Sequence, residues 1–239
     1  MKIIKPYNNK ESKKKQISYM FDSISETYDF LNLILSLGMD KVWRKKAIQN
    51  IKNNPLKILD VATGTADLAI LAAEKTNANI IGIDISEKML EKASQKIKKK
   101  KLFNRVSLKL ADAEKIPYKE NSFQAITAGF GVRNFEDINL GLKEMYRVLE
   151  KKGVLVIIEP SKPTSFPINH IYNLYFNYIL PLLGKFISRE NHAYKYFIES
   201  VNEFDSSNNL MKNLKKIGFK NCKKTELNFG IVSLYTATK

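Results

Sequence analysis

The stretch Leu56–Asp84, LKILDVATGTADLAILAAEKTNANIIGID, restricts the fold more than any other part of the chain. A short apolar run, Ile58-Leu59-Asp60-Val61-Ala62, leads into the small turn-forming residues Thr63-Gly64-Thr65. A helical pattern follows from Ala66 to Glu74, and a second apolar run, Ile80-Ile81-Gly82-Ile83, ends in Asp84. Strand, glycine turn, helix, strand and acid, in that order, predict a βαβ unit built around a nucleoside. Gly64 lets the backbone turn sharply and come close to a ligand, because it has no Cβ. Asp84 follows Gly64 by 20 residues, about where a carboxylate on the tip of the second strand reaches a ribose diol.

The turn is not built for a dinucleotide. Thr65-Ala66-Asp67 follows Gly64, so the spaced glycines that seat a pyrophosphate on a helix N-terminus are missing. A nucleoside without phosphates needs only the first turn, the ribose acid and polar groups for its tail. Asp60, at the tip of the first strand, suits a cationic tail, and S-adenosylmethionine has one in its sulfonium and amino groups. A plain βαβ core with an ordinary loop is the competing reading, since a single glycine turn is a weak signal on its own.

Beyond this unit, Ser86 caps a predicted helix that runs to about Lys100, with Met89 in its first turn among the expected cofactor contacts. The alternating run Val106–Leu110 delivers Asp112 and Ala113, a carboxylate for the adenine amino group and a backbone N–H. Strand Phe123–Ala128 ends in Gly129-Phe130-Gly131-Val132-Arg133-Asn134. Two glycines beside an Arg-Asn pair, at the carboxyl end of a central strand, mark a functional loop, because open α/β sheets bind ligands there. A helix over Phe135–Leu149 is expected to stop near Gly153, and a strand over Val154–Ile158 leads to Glu159-Pro160-Ser161. A last helix near Ser206–Ile217 precedes two strands, Lys220–Leu227 and Ile231–Ala237, joined by Asn228-Phe229-Gly230 as an antiparallel pair.

Residues 1–15 are polar and basic and are expected to fray. Amphipathic helices then run from Gln16, through Tyr28-Asp29, to Ile48, placed to cover the nucleoside site. The stretch Phe166–Ile187 is apolar and aromatic almost all round, yet Asn169, His170, Asn173, Asn177 and Pro181 interrupt it too often for a membrane span. It reads either as buried core beneath a lid or as an apolar wall for a greasy substrate or membrane surface.

The 239 residues suit one domain of ordinary size, 1–239. Its parts are a helical cover over 16–52, a cofactor-binding core over 56–160, a helical lid over 163–204 and a last helix with hairpin over 205–239. One cysteine, Cys222, excludes a disulfide framework and fits a reducing cytoplasm, and two histidines leave little for a metal, so none is expected. No apolar leader follows Met1, so no secretory signal is expected. The net charge of +16 admits an anionic partner, but a Lys/Asn/Ile-rich composition spread over the surface explains it equally well.

Several separated motifs together resemble the C-methyltransferases of ubiquinone and menaquinone biosynthesis. Tyr28-Asp29-Phe30-Leu31-Asn32 with Ser36, Gly38 and Trp43 is similar to that family's first signature. Phe130–Asn134 resembles its loop after the fourth strand, and Tyr146-Arg147-Val148-Leu149 with Gly153 and Glu159–Pro163 resembles its second signature. Ala193-Tyr194-Lys195-Tyr196 with Glu199-Ser200 is similar to its lid segment. The resemblance spans about residues 16–237 and departs at Asp40, where histidine is usual, at Ala66, where glycine is usual, and at Asp205, where proline often stands.

The implied fold is a Rossmann-like class I methyltransferase, an α/β fold with a mostly parallel seven-stranded sheet and an antiparallel C-terminal strand. The implied reaction moves a methyl group from S-adenosylmethionine to a ring carbon of a lipophilic polyprenyl hydroquinol. Thr65, Asp84, Asp112 and Ala113 map onto cofactor contacts, whereas Gly129 replaces a serine that some members use. The acceptor hydroxyl has a pKa of about 10 by analogy with tyrosine. Arg133 is positioned to lower it, Asn134 to orient the ring, and Tyr28 to complete the network.

The acceptor leans toward demethylmenaquinol, with 2-methoxy-6-polyprenyl-1,4-benzoquinol as the alternative. The enzyme is then cytoplasmic, with transient peripheral contact to an anionic membrane; a homo-oligomer is compatible with the sequence. Gly129-Phe130-Gly131-Val132 stands where RNA base methyltransferases often need Asn/Asp-Pro-Pro-Tyr, and Cys222 lies in the sixth strand, so nucleic acid is not expected. A binding module that has lost its acceptor site is the third reading, and the intact Arg133-Asn134 pair speaks against it.

Overall fold

The computed structural model describes residues 4–52, 54–179, 191–206 and 210–239. Seven strands form one sheet: β1 (Lys57–Val61), β2 (Asn79–Asp84), β3 (Val106–Leu110), β4 (Phe123–Gly129), β5 (Leu149–Pro160), β6 (Lys220–Leu227) and β7 (Val232–Thr238). Their order is β3-β2-β1-β4-β5-β7-β6, with β1 to β5 parallel and β7 antiparallel between β5 and β6. This is the expected class I methyltransferase sheet.

Strand periodicity distributes the core between two faces. Along β5, Leu155 and Ile157 pack with Leu142 and Met145 of α6 (Ile138–Val148), while Val156 and Ile158 face the opposite side. That second side carries α3 (Asp40–Gln49), α4 (Asp67–Lys75) and α5 (Glu87–Lys99). Each such aliphatic side chain contributes about 1.5–3 kcal/mol on burial, and a slip of one residue would exchange the two sets, so the register is firmly specified. The remaining helices are α1 (Lys13–Ile24), α2 (Tyr28–Leu35), α7 (Ile168–Leu174), α8 (Asn191–Ser206) and α9 (Leu210–Ile217). Contacts among Ile17, Met20, Tyr196 and Ala193 join α1 to α8, and Ile24, Leu31 and Met89 join α1 and α2 to α5.

The site lies where the winding of the sheet reverses. β1 has β2 on one side and β4 on the other, which opens a crevice at their carboxyl ends. Gly131 makes that crevice possible: a Cβ there would lie 2.5 Å from the Cβ of Ala62, so the loops after β1 and β4 meet where only glycine fits. Ala66, one of the departures from the resemblance, sits at φ +66° at the N-terminus of α4. That left-handed conformation costs an L-residue about 1–2 kcal/mol, and burial of its methyl in the α4 core returns about 0.8 kcal/mol.

Several boundaries differ from the sequence expectation. The helix expected over Phe135–Leu149 begins at Ile138, because Asp137 Oδ1 caps it by accepting from the N–H groups of Asn139 (2.9 Å) and Leu140 (3.1 Å). It ends at Val148 and passes directly into β5, since Leu149 already pairs with Phe123; Gly153 lies within that strand rather than stopping the helix. The described part of the last helix runs Leu210–Ile217, Ser206 belongs to α8, and 207–209 lie outside the described residues. Of the aromatic stretch, 180–187 also lies outside the described residues.

The residues before Gln16 are not frayed in the described part. Ser12 Oγ accepts from Lys15 N–H at 3.3 Å, so α1 begins at Lys13, and Tyr7 N–H donates to Gln16 Oε1 at 2.8 Å.

Candidate active site

A cavity at the carboxyl ends of β1, β2 and β4 gathers most of the expected cofactor contacts. Gly64, Asp84, Met89, Asp112, Ala113 and Gly129 all line it. Gly64, at φ +55°, aims its N–H at Asp84 Oδ2 (2.8 Å), and Ser86 N–H donates to Asp84 Oδ1 (2.9 Å). These amides fix a half-buried carboxylate while each oxygen keeps a lone pair for a diol. Burial pushes the Asp84 carboxyl up, and the backbone amides of Ser86, Gly64 and Ile85 pull against it.

Asp112 accepts from Glu114 N–H (2.9 Å) and pairs with Lys14 Nζ (2.5 Å), which reaches across from α1. Met89 and Ala113, both under a tenth exposed, supply apolar walls between the two acids.

Two expected contacts lie outside this cavity. Asp60 is 1% exposed, and its two oxygens accept from the hydroxyls of Thr127 and Thr63, each at 2.6 Å. It braces the turn from beneath, with both oxygens engaged by hydroxyls. Thr65 is likewise buried; its hydroxyl donates to Asp29 Oδ1 (2.6 Å) and accepts from Lys96 Nζ (3.1 Å), tying α2 and α5 to the turn. In both cases a strand-end position says nothing about which way the side chain points.

Burial raises the Asp60 carboxyl from 3.8 to about 6, against the pull of Thr127 and Thr63. Between those values the folded protein holds a proton that the unfolded chain has lost. The stability that Asp60 contributes therefore rises as pH falls through about 6 toward 3.8. Urea midpoints of the wild type should gain on those of Asp60→Asn over that interval. A constant gap between the two would mean that Asp60 titrates alike in both states.

The loop after β4 forms a short 3-10 turn, Val132–Asn134, and holds the expected reactive pair. Arg133 is 7% exposed. Its Nη1 donates to Glu159 Oε2 (2.9 Å) and to the Phe130 carbonyl (2.5 Å), while Glu159 Oε1 accepts from Val132 N–H at 2.6 Å. Burial pushes the Glu159 carboxyl up, and Arg133 with the loop amides pulls it back. Asn134 lines the cofactor cavity and accepts at Oδ1 from the Tyr196 hydroxyl (3.0 Å), which leaves its amide N–H groups to donate. Lys13 Nζ, buried beneath α1, donates to the carbonyls of Phe135 (2.7 Å) and Arg133 (3.1 Å). Burial, followed by the charge of Arg133, lowers this lysine to about 8.

A second, larger cavity of about 400 Å³ opens beside the first beneath α2, α7 and α8. Arg133 lines it, as do Leu31, Tyr172 and Phe176. Tyr28, Phe21 and Phe130 line both cavities and form the partition between them. Burial pushes the Tyr28 hydroxyl up, so it stays protonated and able to donate. Phe130 holds φ +62°, a strained conformation for a large side chain, on that shared wall. Of the two readings for 166–187, the described part fits the wall, because Ile168, Ile171, Tyr172, Tyr175 and Phe176 all face this cavity.

Sequence reasoning missed Lys13, Lys14, Glu159 and Tyr196 as parts of the site. Glu159 and Tyr196 stood inside quoted motifs but carried no role, and the lysines fell in the stretch expected to fray.

A glycine turn, a ribose-placed acid and an adenine-placed acid, facing one apolar slot beneath a mostly parallel sheet, define a class I S-adenosylmethionine-dependent methyltransferase. The donor set suits that cofactor: carboxylates for the ribose diol and the exocyclic amine, and no glycine-rich phosphate cradle. A solved S-adenosylmethionine-dependent methyltransferase from Aquifex aeolicus shares the fold, with a TM-score of 0.60 and 18% identity over 83% of this chain and 90% of that one. The profile of the ubiE/COQ5 methyltransferase family matches residues 9–239, and the chain belongs to that family.

Among its relatives, the demethylmenaquinone methyltransferase of Bacteroides fragilis is 43% identical over 238 residues, 99% of this chain and 97% of that protein. The ubiquinone/menaquinone biosynthesis C-methyltransferase UbiE of Geotalea daltonii is 43% identical over 230 residues, 95% of this chain and 97% of its own length.

Proposed function

We propose that the protein methylates a ring carbon of demethylmenaquinol, with the ring in the larger cavity and the cofactor in the smaller. The carrying observation is the partition: Tyr28 and Phe130 border both cavities, with Arg133 on the acceptor side and Asn134 on the cofactor side. The name of the Bacteroides relative supports the naphthoquinol, and that of the Geotalea relative keeps 2-methoxy-6-polyprenyl-1,4-benzoquinol as the second reading.

Gly64, Asp84, Met89, Asp112 and Ala113 hold the cofactor. When bound, it would supply a methyl on a positively charged sulfur for transfer to the ring carbon, with the C–S bond broken and the ring hydrogen released as a proton. The chain's task is to make that carbon nucleophilic and to hold it in line. Arg133 favours ionisation of the neighbouring ring hydroxyl, which sends electron density to the adjacent carbon. Asn134, its oxygen held by Tyr196, donates from its amide to orient the ring, and the Tyr28 hydroxyl donates from the partition.

The acceptor reaches the cavity from a membrane surface on the cytoplasmic side. Leu37, Ile171 and Phe229 line the cavity yet are 76%, 60% and 73% exposed, an apolar rim that suits an isoprenoid tail. No helix of the described residues is long and apolar enough to cross a membrane. Anionic vesicles should retain the protein at low salt and release part of it as salt rises; no retention at any salt would assign the charge of +16 to composition.

The deciding experiment offers methyl-labelled S-adenosylmethionine with reduced demethylmenaquinone, reduced demethylated benzoquinone or total RNA. Label in the naphthoquinol is expected. Label only in the benzoquinol would reassign the acceptor, and label only in RNA would overturn the reading.

A further inference from the structure

Buried polar atoms pair with one another almost everywhere in this fold, because an unmet donor away from water costs about 1–3 kcal/mol. Among the described residues two side-chain atoms break the pattern, Arg133 Nε and the Tyr194 hydroxyl. Both residues line the acceptor cavity. Other polar side chains on its wall have protein partners: Tyr28 with Asn32, Trp43 with Asn228, Ser36 and Arg44 with Asp40, Tyr196 with Asn134, and Tyr175 with the Ile34 carbonyl at 3.2 Å. An apolar cavity with two free donors fits a ligand carrying two separated oxygens on a flat apolar body.

The two donors sit at different depths. Arg133 is next to Asn134, which lines the cofactor cavity, so its end is the one where methyl transfer occurs. Tyr194, on α8, stands one turn before Phe197, whose ring packs 5.3 Å from the Arg133 guanidinium, and it lines the cavity together with Tyr175. Tyr175 in turn is bonded to Ile34, near the far end of α2. Ile34 lies six residues along that helix from the partition residue Tyr28, about 9 Å at the helical rise. Tyr194 therefore serves the end of the cavity remote from the cofactor.

We propose that the Tyr194 hydroxyl binds the second ring oxygen of the acceptor, the one remote from the carbon that is methylated, while Arg133 Nε takes the near oxygen. This rests on the quinol reading above. Tyr194 is then a specificity-determining contact: it rewards a ring with two oxygens opposite each other over one with a single hydroxyl. Its hydroxyl stays protonated, since burial pushes it well above its ordinary value, so it acts only as a donor or a neutral acceptor.

The test compares the wild type and Tyr194→Phe on two acceptors, a short-tailed reduced demethylmenaquinone and a 3-prenyl-1-naphthol that lacks the second oxygen. On the quinol, Tyr194→Phe should lose about threefold to tenfold in kcat/KM, mostly through KM, with cofactor affinity unchanged. On the naphthol the two enzymes should be equal, because the oxygen that Tyr194 binds is absent. An equal loss on both acceptors would make Tyr194 a packing residue, and no loss on either would remove it from the substrate contacts. If the wild type left the quinol unmethylated, the quinol reading itself would fall, and with it this assignment.

Discussion

Arg133→Lys is expected to lower turnover by about 10²–10³-fold while leaving cofactor affinity unchanged. The guanidinium offers a fork that meets Glu159 and the Phe130 carbonyl from one nitrogen and leaves Nε without a protein partner, the atom proposed to meet the acceptor. A lysine ammonium keeps the charge but not that planar division of labour. Arg133→Ala is a poorer experiment. It leaves Glu159 charged and unpaired at 0% exposure, a loss of about 3–5 kcal/mol from a total stability of about 5–15 kcal/mol. Single-turnover rates with acceptor and cofactor saturating, beside a thermal melt, separate the two effects. If cofactor affinity fell in step with turnover, Arg133 would belong to the cofactor site; if turnover held, it would have no part in the chemistry.

Asp84→Asn should weaken cofactor binding by about 10²-fold, with turnover at saturating cofactor largely kept. Two charge-assisted bonds to a ribose diol become neutral ones, at a loss of about 1–1.5 kcal/mol each. The amide also has one acceptor oxygen for two backbone donors, Gly64 and Ser86, so the turn loosens as well. Titration calorimetry reads the affinity directly. Unchanged binding would mean that Asp84 only props the turn and that the ribose lies elsewhere.

The strands were legible because their signal is local. Apolar runs ended by glycine or acid gave β1, β2, β4 and the C-terminal hairpin nearly to the residue, and the Ser86 cap gave α5. Gly64, Asp84, Asp112 and Arg133 were legible for the same reason, since topology brings strand tips together whatever the loops do. Asp60 and Thr65 show where that logic stops. Both are polar residues at or just after the end of β1, and partners from distant parts of the chain, Thr127 for Asp60 and Asp29 and Lys96 for Thr65, help to fix where they point. The start of α1 was hidden in the same way. Lys13 looks like one of three surface lysines until its partners, 120 and 122 residues away, are in place.

The buried Arg133–Glu159 pair carries a further consequence. Its two charges cancel at a distance, so the cavity it borders is presented with an oriented dipole rather than a net positive charge. Mobile ions, which screen exposed charges over about 8 Å at physiological strength, act only weakly on a pair sealed from solvent. The lysine-rich exterior has no such shelter. Raising ionic strength should therefore weaken the proposed contact with an anionic bilayer, while the proposed bond-making step inside the protein stays insulated from the surrounding electrolyte.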